Sequence, residues 1–432
     1  MTAHAPRARS DSDVETWLAQ ALGPAERTVT GLRPGNSRRV WIVSSSDSDE
    51  RLLVRAENGE DLTPVHSLAR EAQVYAALDG MGVHAPRLRA VSADGSMMAT
   101  DALPGRADLT GLDADTTDRI LRDFLGRLGE LHAAGLPPRD AAGALFGRPV
   151  PATTSDCILD ELDIWEGVMR SASQAPDPLL EFGHRWLRES VPMVAKAPVL
   201  VHGDAGTGNF LHHDGAVTGL IDWELAHPGD PVEDLAWTVM RAGLDGIPGV
   251  RELARSAGGQ PADAVAARID YHLALVLWKV MVIRLHRVGD PTANIGRNVF
   301  YRLRHRRMFI DVMAVNLGQS CPDPEPPPPA ATERSWLYDG AVDRLKQTVI
   351  PAVDDPAGRS SAAGIIRVLR YLRTWDQAGS WIEGDLGPAA SAELAGSLAQ
   401  GRIGCAEVFP RLAARELREF ALCGDPVRGG PS

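Results

Sequence analysis

Cysteine is scarce. The chain holds four, Cys157, Cys321, Cys405 and Cys423, too few and too scattered for a disulfide framework or a zinc site, since each needs close pairs. They read as buried or idle thiols in a reducing compartment. Positive charge is short as well: 45 Lys and Arg face 57 Asp and Glu, a formal charge of -12. This speaks against wholesale binding to nucleic acid or an anionic membrane, because both need basic surface to displace counterions. Long apolar runs are missing too. The most apolar one, Tyr271 to Leu285, contains Lys279 and Arg284 and falls short of the roughly 20 residues that cross a bilayer. The first dozen residues are polar, so no secretory signal is visible; they read as a disordered leader on a soluble, cytoplasmic protein.

What is present is ordinary globular material, 44% hydrophobic and 24% charged over 432 residues, enough for two or three domains. Val40 to Val43 and Leu52 to Arg55 are short bulky runs on either side of the polar stretch Ser44 to Glu50, a hairpin signature following a turn at Pro34 to Ser37. A helix is expected over Ser67 to Asp79, and strands at Arg87 to Val91 and Met97 to Leu103 with Asp94-Gly95 between them. From Pro104-Gly105 onward the pattern turns helical, with Thr117 to Ala134 strongly periodic. Short apolar strands, Pro198 to His202 and Ala216 to Asp222, interrupt it. Helices then cover Val232 to Ala242 and Ala262 to Val288. The order predicts an α+β architecture: a small N-lobe at 13–103 built on a five-strand sheet with one helix, and a helical C-lobe at 104–320. Pro322 to Pro329 reads as an extended linker, at 321–331, and 332–432 as a further helical domain.

The densest chemistry lies at His202-Gly203-Asp204, with Asn209 five residues after the aspartate and Ile221-Asp222-Trp223-Glu224 beyond. Phosphoryl transfer from a nucleotide needs a carboxylate at the acceptor hydroxyl and separate oxygen ligands for magnesium. Asp204 suits the first role, and Asn209 with Asp222 the second. The H-x-D-x-x-x-x-N spacing is that of the protein-kinase catalytic loop. Gly and Asp also populate tight turns and helix caps, so His202-Gly203-Asp204 alone would mark only a turn; the joint spacing of His202, Asp204, Asn209, Asp222 and Asp234 favours the kinase reading. His202 reads as structural, holding the loop.

From about Leu32 to about Arg307 the chain resembles the aminoglycoside phosphotransferase and choline kinase superfamily, small-molecule kinases with a bilobal protein-kinase-like fold. The resemblance is strongest over His202 to Trp237. It implies Asp204 as catalytic aspartate, Asn209 and Asp222 as metal ligands, ATP and Mg2+ as cofactors, and Asp230 and Asp234 as the G-D-P and D-L signature. It also places Arg55 where a basic residue, often lysine, contacts the nucleotide phosphates, and Glu71 where its helix partner stands. Arginine keeps the charge and grips phosphate bidentately. The turn at Gly35, Asn36 and Ser37 holds one glycine, so phosphate cradling there competes with an ordinary hairpin turn. Thr100 to Leu103 matches the hinge that meets adenine.

Arg284 to Arg307 carries seven arginines and two histidines against Asp290 alone. Solvated helix faces explain such a run. If instead it lines the acceptor cleft, the acceptor is anionic, and within the superfamily that points to a hydroxyacyl-CoA rather than an aminoglycoside or macrolide antibiotic. A non-catalytic kinase-like binding protein is the rival from another class. His212-His213 point to opposite faces of a strand, and Gly206-Thr207-Gly208 is too short for a dinucleotide loop. The stretch from Trp336 to Phe420 shows no catalytic cluster and is left with packing, a protein partner or self-association.

Overall fold

The computed structural model describes residues 9–32, 38–46, 48–57, 67–172, 175–257, 262–286, 295–328 and 330–423. In chain order its elements are α1 (Asp11–Leu22), β1 (Arg27–Gly31), β2 (Arg38–Ser45), β3 (Arg51–Glu57), α2 (Leu68–Met81), β4 (Leu88–Val91), β5 (Met97–Asp101), α3 (Ala114–Ala134), α4 (Arg139–Phe146), α5 (Thr154–Ser171) and α6 (Pro178–Glu189). There follow β6 (Val199–Val201), β7 (Phe210–His213), β8 (Ala216–Leu220), β9 (His227–Gly229), α7 (Pro231–Asp245), α8 (Val250–Ala257), α9 (Ala262–His286) and α10 (Ile295–Leu317). The last are α11 (Ser335–Arg344), α12 (Ile350–Ala352), α13 (Pro356–Glu383), α14 (Pro388–Ala399) and α15 (Cys405–Cys423). Two compact units emerge, Met1–Glu161 with Pro192–His272, and Leu162–Val191 with Leu273–Ser432.

The first unit opens with an antiparallel sheet in the order β1-β2-β3-β5-β4, the expected kinase-like small lobe. Strand alternation divides β3 between two tasks. Leu52, Val54 and Ala56 are buried with Trp41, Val43 and the α1 residues Val14, Trp17 and Leu18. Arg55, between them, belongs to the opposite face and reaches Glu71 of α2. Helix α1 begins at Asp11, inside the stretch expected to be a leader. The reason is local: Ser10 caps it in a reciprocal box with Asp13, and Val14, Trp17 and Leu18 recur at helical spacing, a stripe too short to stand out in a polar sequence. Truncating the fully buried Leu18 to Ala should cost about 2–5 kcal/mol.

Beyond the sheet, two short ribbons, β6 with β9 and β7 with β8, carry the chemically dense segment among α3 and α7.

The second unit is helical. Phe182 of α6 stacks on Phe409 of α15 with ring centroids 5.6 Å apart and meets Phe309 of α10 edge-on at 6.3 Å. The helices after the proline-rich stretch therefore pack with α6 and α10, and the two compact units do not divide at 321–331, the expected linker. Composition marks a break in regular structure there, and says nothing of which helices share a core.

This second unit also accounts for the arginine-rich run. Arg306, buried, is held by Asp177 and by Glu416; Arg302 pairs with Glu419 at 2.7 Å; Arg307 pairs with Asp311 and Asp323. Arg284 bonds Asn298 and lies over the Tyr301 ring at 5.0 Å. The acids on Arg302 and Arg306 come from distant sequence, so three of the seven arginines of the run, Arg302, Arg306 and Arg307, are neutralised inside the unit. For these three arginines the charge is structural and gives no argument for an anionic acceptor.

Candidate active site

Asp234, in the first turn of α7 and fully buried, accepts the backbone N–H of His202 at 2.9 Å and of Gly203 at 3.0 Å, and meets His132 Nε2 at 2.8 Å. The loop leaving β6 is thereby hung on the helix. His202 contributes from within: its Nε2 bonds the carbonyl of Ile221 at 2.9 Å, its Nδ1 accepts the N–H of Asp204 at 3.3 Å, and its ring lies 4.5 Å from that of Trp223. One ring nitrogen donating and one accepting describes a neutral imidazole with a structural task. Gly203 has φ +79, and a Cβ there would stand 2.2 Å from the carbonyl oxygen of Leu225; no other residue fits.

This scaffold gathers the three residues expected to act together. Asn209 donates through Nδ2 to the carbonyl and to the Oδ2 of Asp204, both at 2.8 Å. Its backbone carbonyl accepts the N–H of Ile221 at 3.0 Å, which sets Asp222 beside it at the open end of the β7–β8 ribbon. Asp222 has φ +68, a left-handed backbone that costs a non-glycine residue about 1 kcal/mol or more; the Tyr75 hydroxyl supports it by accepting its N–H at 3.3 Å.

Arg55 extends the constellation into the sheet. Its guanidinium pairs with Glu71 and lies 3.4 Å from Asp222 Oδ1. Burial alone would lower its pKa; Glu71, with Tyr75 and Asp222 behind it, outweighs that and holds it above the ordinary value. A second arginine, Arg38, shares Glu71 and reaches Glu224 at 3.2 Å. Burial and the neighbouring Asp222 push the Glu224 carboxyl up to about 8, against the pull of Arg38.

Gly35, Asn36 and Ser37 lie outside the described residues. Thr100 is buried within the sheet, opposite Leu53 of β3 and Leu88 of β4, so of the expected hinge Thr100 to Leu103 the last two residues, Ala102 and Leu103, lie beyond the strand. Leu103 packs where a Cβ on Gly219 would touch it. Arg38, Tyr75, His132 and Arg241 were not foreseen. Arg38 alone had a signal, standing directly after the candidate phosphate turn.

Hard oxygen donors converge here: carboxylate oxygens of Glu71, Asp222 and Glu224 lie within 4.8 Å of one another. Glu71 is committed to two arginines. Asn209 has turned its side-chain nitrogen to Asp204, which leaves its side-chain Oδ1 for another partner, and the Asp222 side chain keeps 38% of its surface exposed. One carboxylate and one amide oxygen fit a small divalent cation that retains water and phosphate ligands.

Residues 28–268 match the family model described as the phosphotransferase enzyme family, over half of the chain. The chain belongs to that family. Among curated relatives, this phosphotransferase is 26% identical over 205 residues to acyl-CoA dehydrogenase family member 10 of Mus musculus, covering 45% of the chain and 18% of the relative. It is 25% identical over 249 residues to member 11 of Homo sapiens, covering 54% and 31%. The chain thus spans less than a third of these relatives. Among solved structures it is similar to a candidate aminoglycoside phosphotransferase from Ralstonia eutropha (22% identity, TM-score 0.51, 70% of this chain and 96% of that one). It is also similar to a thermostable mutant of the aminoglycoside phosphotransferase APH(4)-Ia (14%, TM-score 0.51, 71% and 100%). Both likenesses establish a kinase-like phosphotransferase fold. Among the described residues, no helix is long and apolar enough to cross a membrane.

Proposed function

We propose that this phosphotransferase moves the γ-phosphoryl group of ATP to the hydroxyl of a small acyl-CoA-type acceptor. The observation that carries the reaction type is the contact of Asp204 with Asn209 beside Asp222. The acceptor oxygen forms a bond to the γ-phosphorus, the bond from phosphorus to the bridging oxygen breaks with its electron pair leaving on ADP, and the hydroxyl proton passes to Asp204. Asp204 orients the nucleophile, which a loose transition state requires more than strong basicity. Asn209 and Asp222 would hold magnesium, which supplies charge neutralisation between the phosphates. Arg55, fixed by Glu71, meets the α- and β-phosphates as a planar donor.

The acceptor class rests on the curated relatives, whose matching segment occurs in proteins named for acyl-CoA. The paired Arg55 and Glu71 favour an active enzyme over a kinase-like binding protein.

The test is a screen for Mg-dependent ATP consumption with hydroxyacyl-CoA thioesters, aminoglycosides and macrolides. Turnover with the thioesters supports the assignment. Turnover confined to the antibiotics replaces the acceptor, and absence of both turnover and Mg-ATP stabilisation in a thermal shift sinks the enzyme reading.

A further inference from the structure

The glycines flanking Thr207 have a use that no nucleotide motif explains. Arg241, on the third turn of α7, lies against the loop from Asp204 to Asn209 and bonds to it at several points. Its Nε donates to Asp204 Oδ1 at 2.8 Å, one terminal nitrogen pairs with Asp204 Oδ2, and the other donates to the carbonyl of Thr207 at 2.9 Å. Gly206, at φ +149, makes the approach feasible: a Cβ there would stand 2.7 Å from Arg241 Cδ and 3.1 Å from its Cβ. The loop has given up a side chain to admit a guanidinium.

Lone-pair counting shows what this does to Asp204. Each carboxylate oxygen can accept about two hydrogen bonds. Oδ2 receives Arg241 and the Asn209 amide, while Oδ1 receives Arg241 Nε. Among the described residues no other donor reaches Oδ1, so one lone pair on it stays available. A bidentate arginine also fixes the carboxylate plane, which a lysine cannot do.

We propose that Arg241 is the positioning residue of the phosphotransfer site, clamping Asp204 so that only Oδ1 can receive the acceptor hydroxyl. The inference rests on the reading of Asp204 as the group that orients the nucleophile. Arg241 acts through Asp204 and has no direct part in holding the nucleotide; Gly206 is required because a side chain would dislodge the clamp.

The experiment compares wild type, Arg241→Met, Arg241→Lys, Gly206→Ala and the Arg241→Met/Gly206→Ala double variant in the full-length protein. The readouts are Mg-ATP turnover with hydroxybutyryl-CoA, slow Mg-ATP hydrolysis with water as acceptor, Mg-ATP affinity by calorimetry, and melting temperature. Misplacing a reacting group by about 1 Å costs on the order of a hundredfold in rate. Arg241→Met and Gly206→Ala should each lose about that much turnover, and the double variant should fall no more than about threefold further, since both remove one clamp. Mg-ATP affinity should stay within about threefold. Arg241→Lys should recover little, and added guanidinium ion should restore part of the Arg241→Met rate. A folded Arg241→Met with wild-type turnover, or losses that multiply in the double variant, overturns the proposal. A wild type that ignores the thioester but hydrolyses Mg-ATP refutes the acceptor alone, and the clamp is then judged on hydrolysis.

Discussion

Asp234 and His202 are joined by a hydrogen bond of 2.9 Å from the backbone N–H of one to the carboxylate of the other, and this bond suspends the Asp204 loop from a helix 32 residues away. Asp234→Ala leaves two buried N–H groups without an acceptor. The loss should be on the order of 3 kcal/mol, read as a lowered urea midpoint with an unchanged slope, and turnover should fall further than stability accounts for. Asp234→Asn retains one acceptor oxygen and should sit between.

Asp204 and Asp222 are separable by what each variant spares. Asp204→Asn should reduce turnover by about 10²–10⁴-fold while Mg-ATP affinity changes only a few-fold, whereas Asp222→Asn should weaken nucleotide binding in magnesium and leave it little changed in EDTA. Calorimetry beside a coupled turnover assay measures both, and full activity in Asp204→Asn would refute the mechanism.

Glu71 is the shared counter-ion of Arg38 and Arg55. Glu71→Leu leaves two guanidinium groups buried side by side, which should cost about 3–5 kcal/mol and weaken Mg-ATP binding. If like-charge repulsion is the cause, adding Arg38→Met to Glu71→Leu recovers part of the stability, a non-additivity visible in a double-mutant cycle.

Asp230 predicts an acid limb. Burial would raise its pKa, but His272 at 3.1 Å and Arg268 pull it down to about 2. A folded value below the unfolded one means the stabilisation is complete above about pH 4 and is lost as pH falls through about 2, amounting to roughly 2 kcal/mol. Urea titrations of wild type and Asp230→Asn over that window should converge at the acid end; parallel curves would show that the linkage lies elsewhere.

Arg306 distinguishes a structural arginine from one that reads an acceptor. Because it is buried between Asp177 and Glu416, Arg306→Met should destabilise by about 3–5 kcal/mol and leave the acceptor KM of the surviving folded protein unchanged. A raised KM at unaltered stability would return this arginine to the acceptor cleft.

The legibility of this chain followed the range of the interactions involved. That Asp204, Asn209 and Asp222 stand together was foreshadowed by residue type and loop spacing, which are local properties, and the pairing of Arg55 with Glu71 by the family resemblance. Arg241 was not, since the guanidinium reaches its carboxylate across 37 residues; the glycines at 206 and 208 were visible, but nothing nearby says what they make room for. The arginines of α10 misled for the same reason. Their partners, Glu416 and Glu419, stand more than a hundred residues away, and a window of sequence counts charge without seeing its neutralisation. Strand and helix periods were clear in β2, β3, α2 and α3, where one buried face dominates. Which helices share a core after the prolines was not, because an apolar stripe does not name its partner.

The stacking of Phe182 on Phe409 bears on how the polypeptide is made. Phe309 of α10 can meet the edge of Phe182 first, but Phe409, which stacks on its face, is translated more than two hundred residues after it, a wait of roughly 10–45 s at ordinary elongation rates. Nascent chains thus carry an incompletely covered aromatic surface throughout that interval, and a stop codon in the proline-rich stretch would leave the face of Phe182 without Phe409 permanently. Such a product should be a client of chaperones and proteases, rather than a trimmed version of the enzyme.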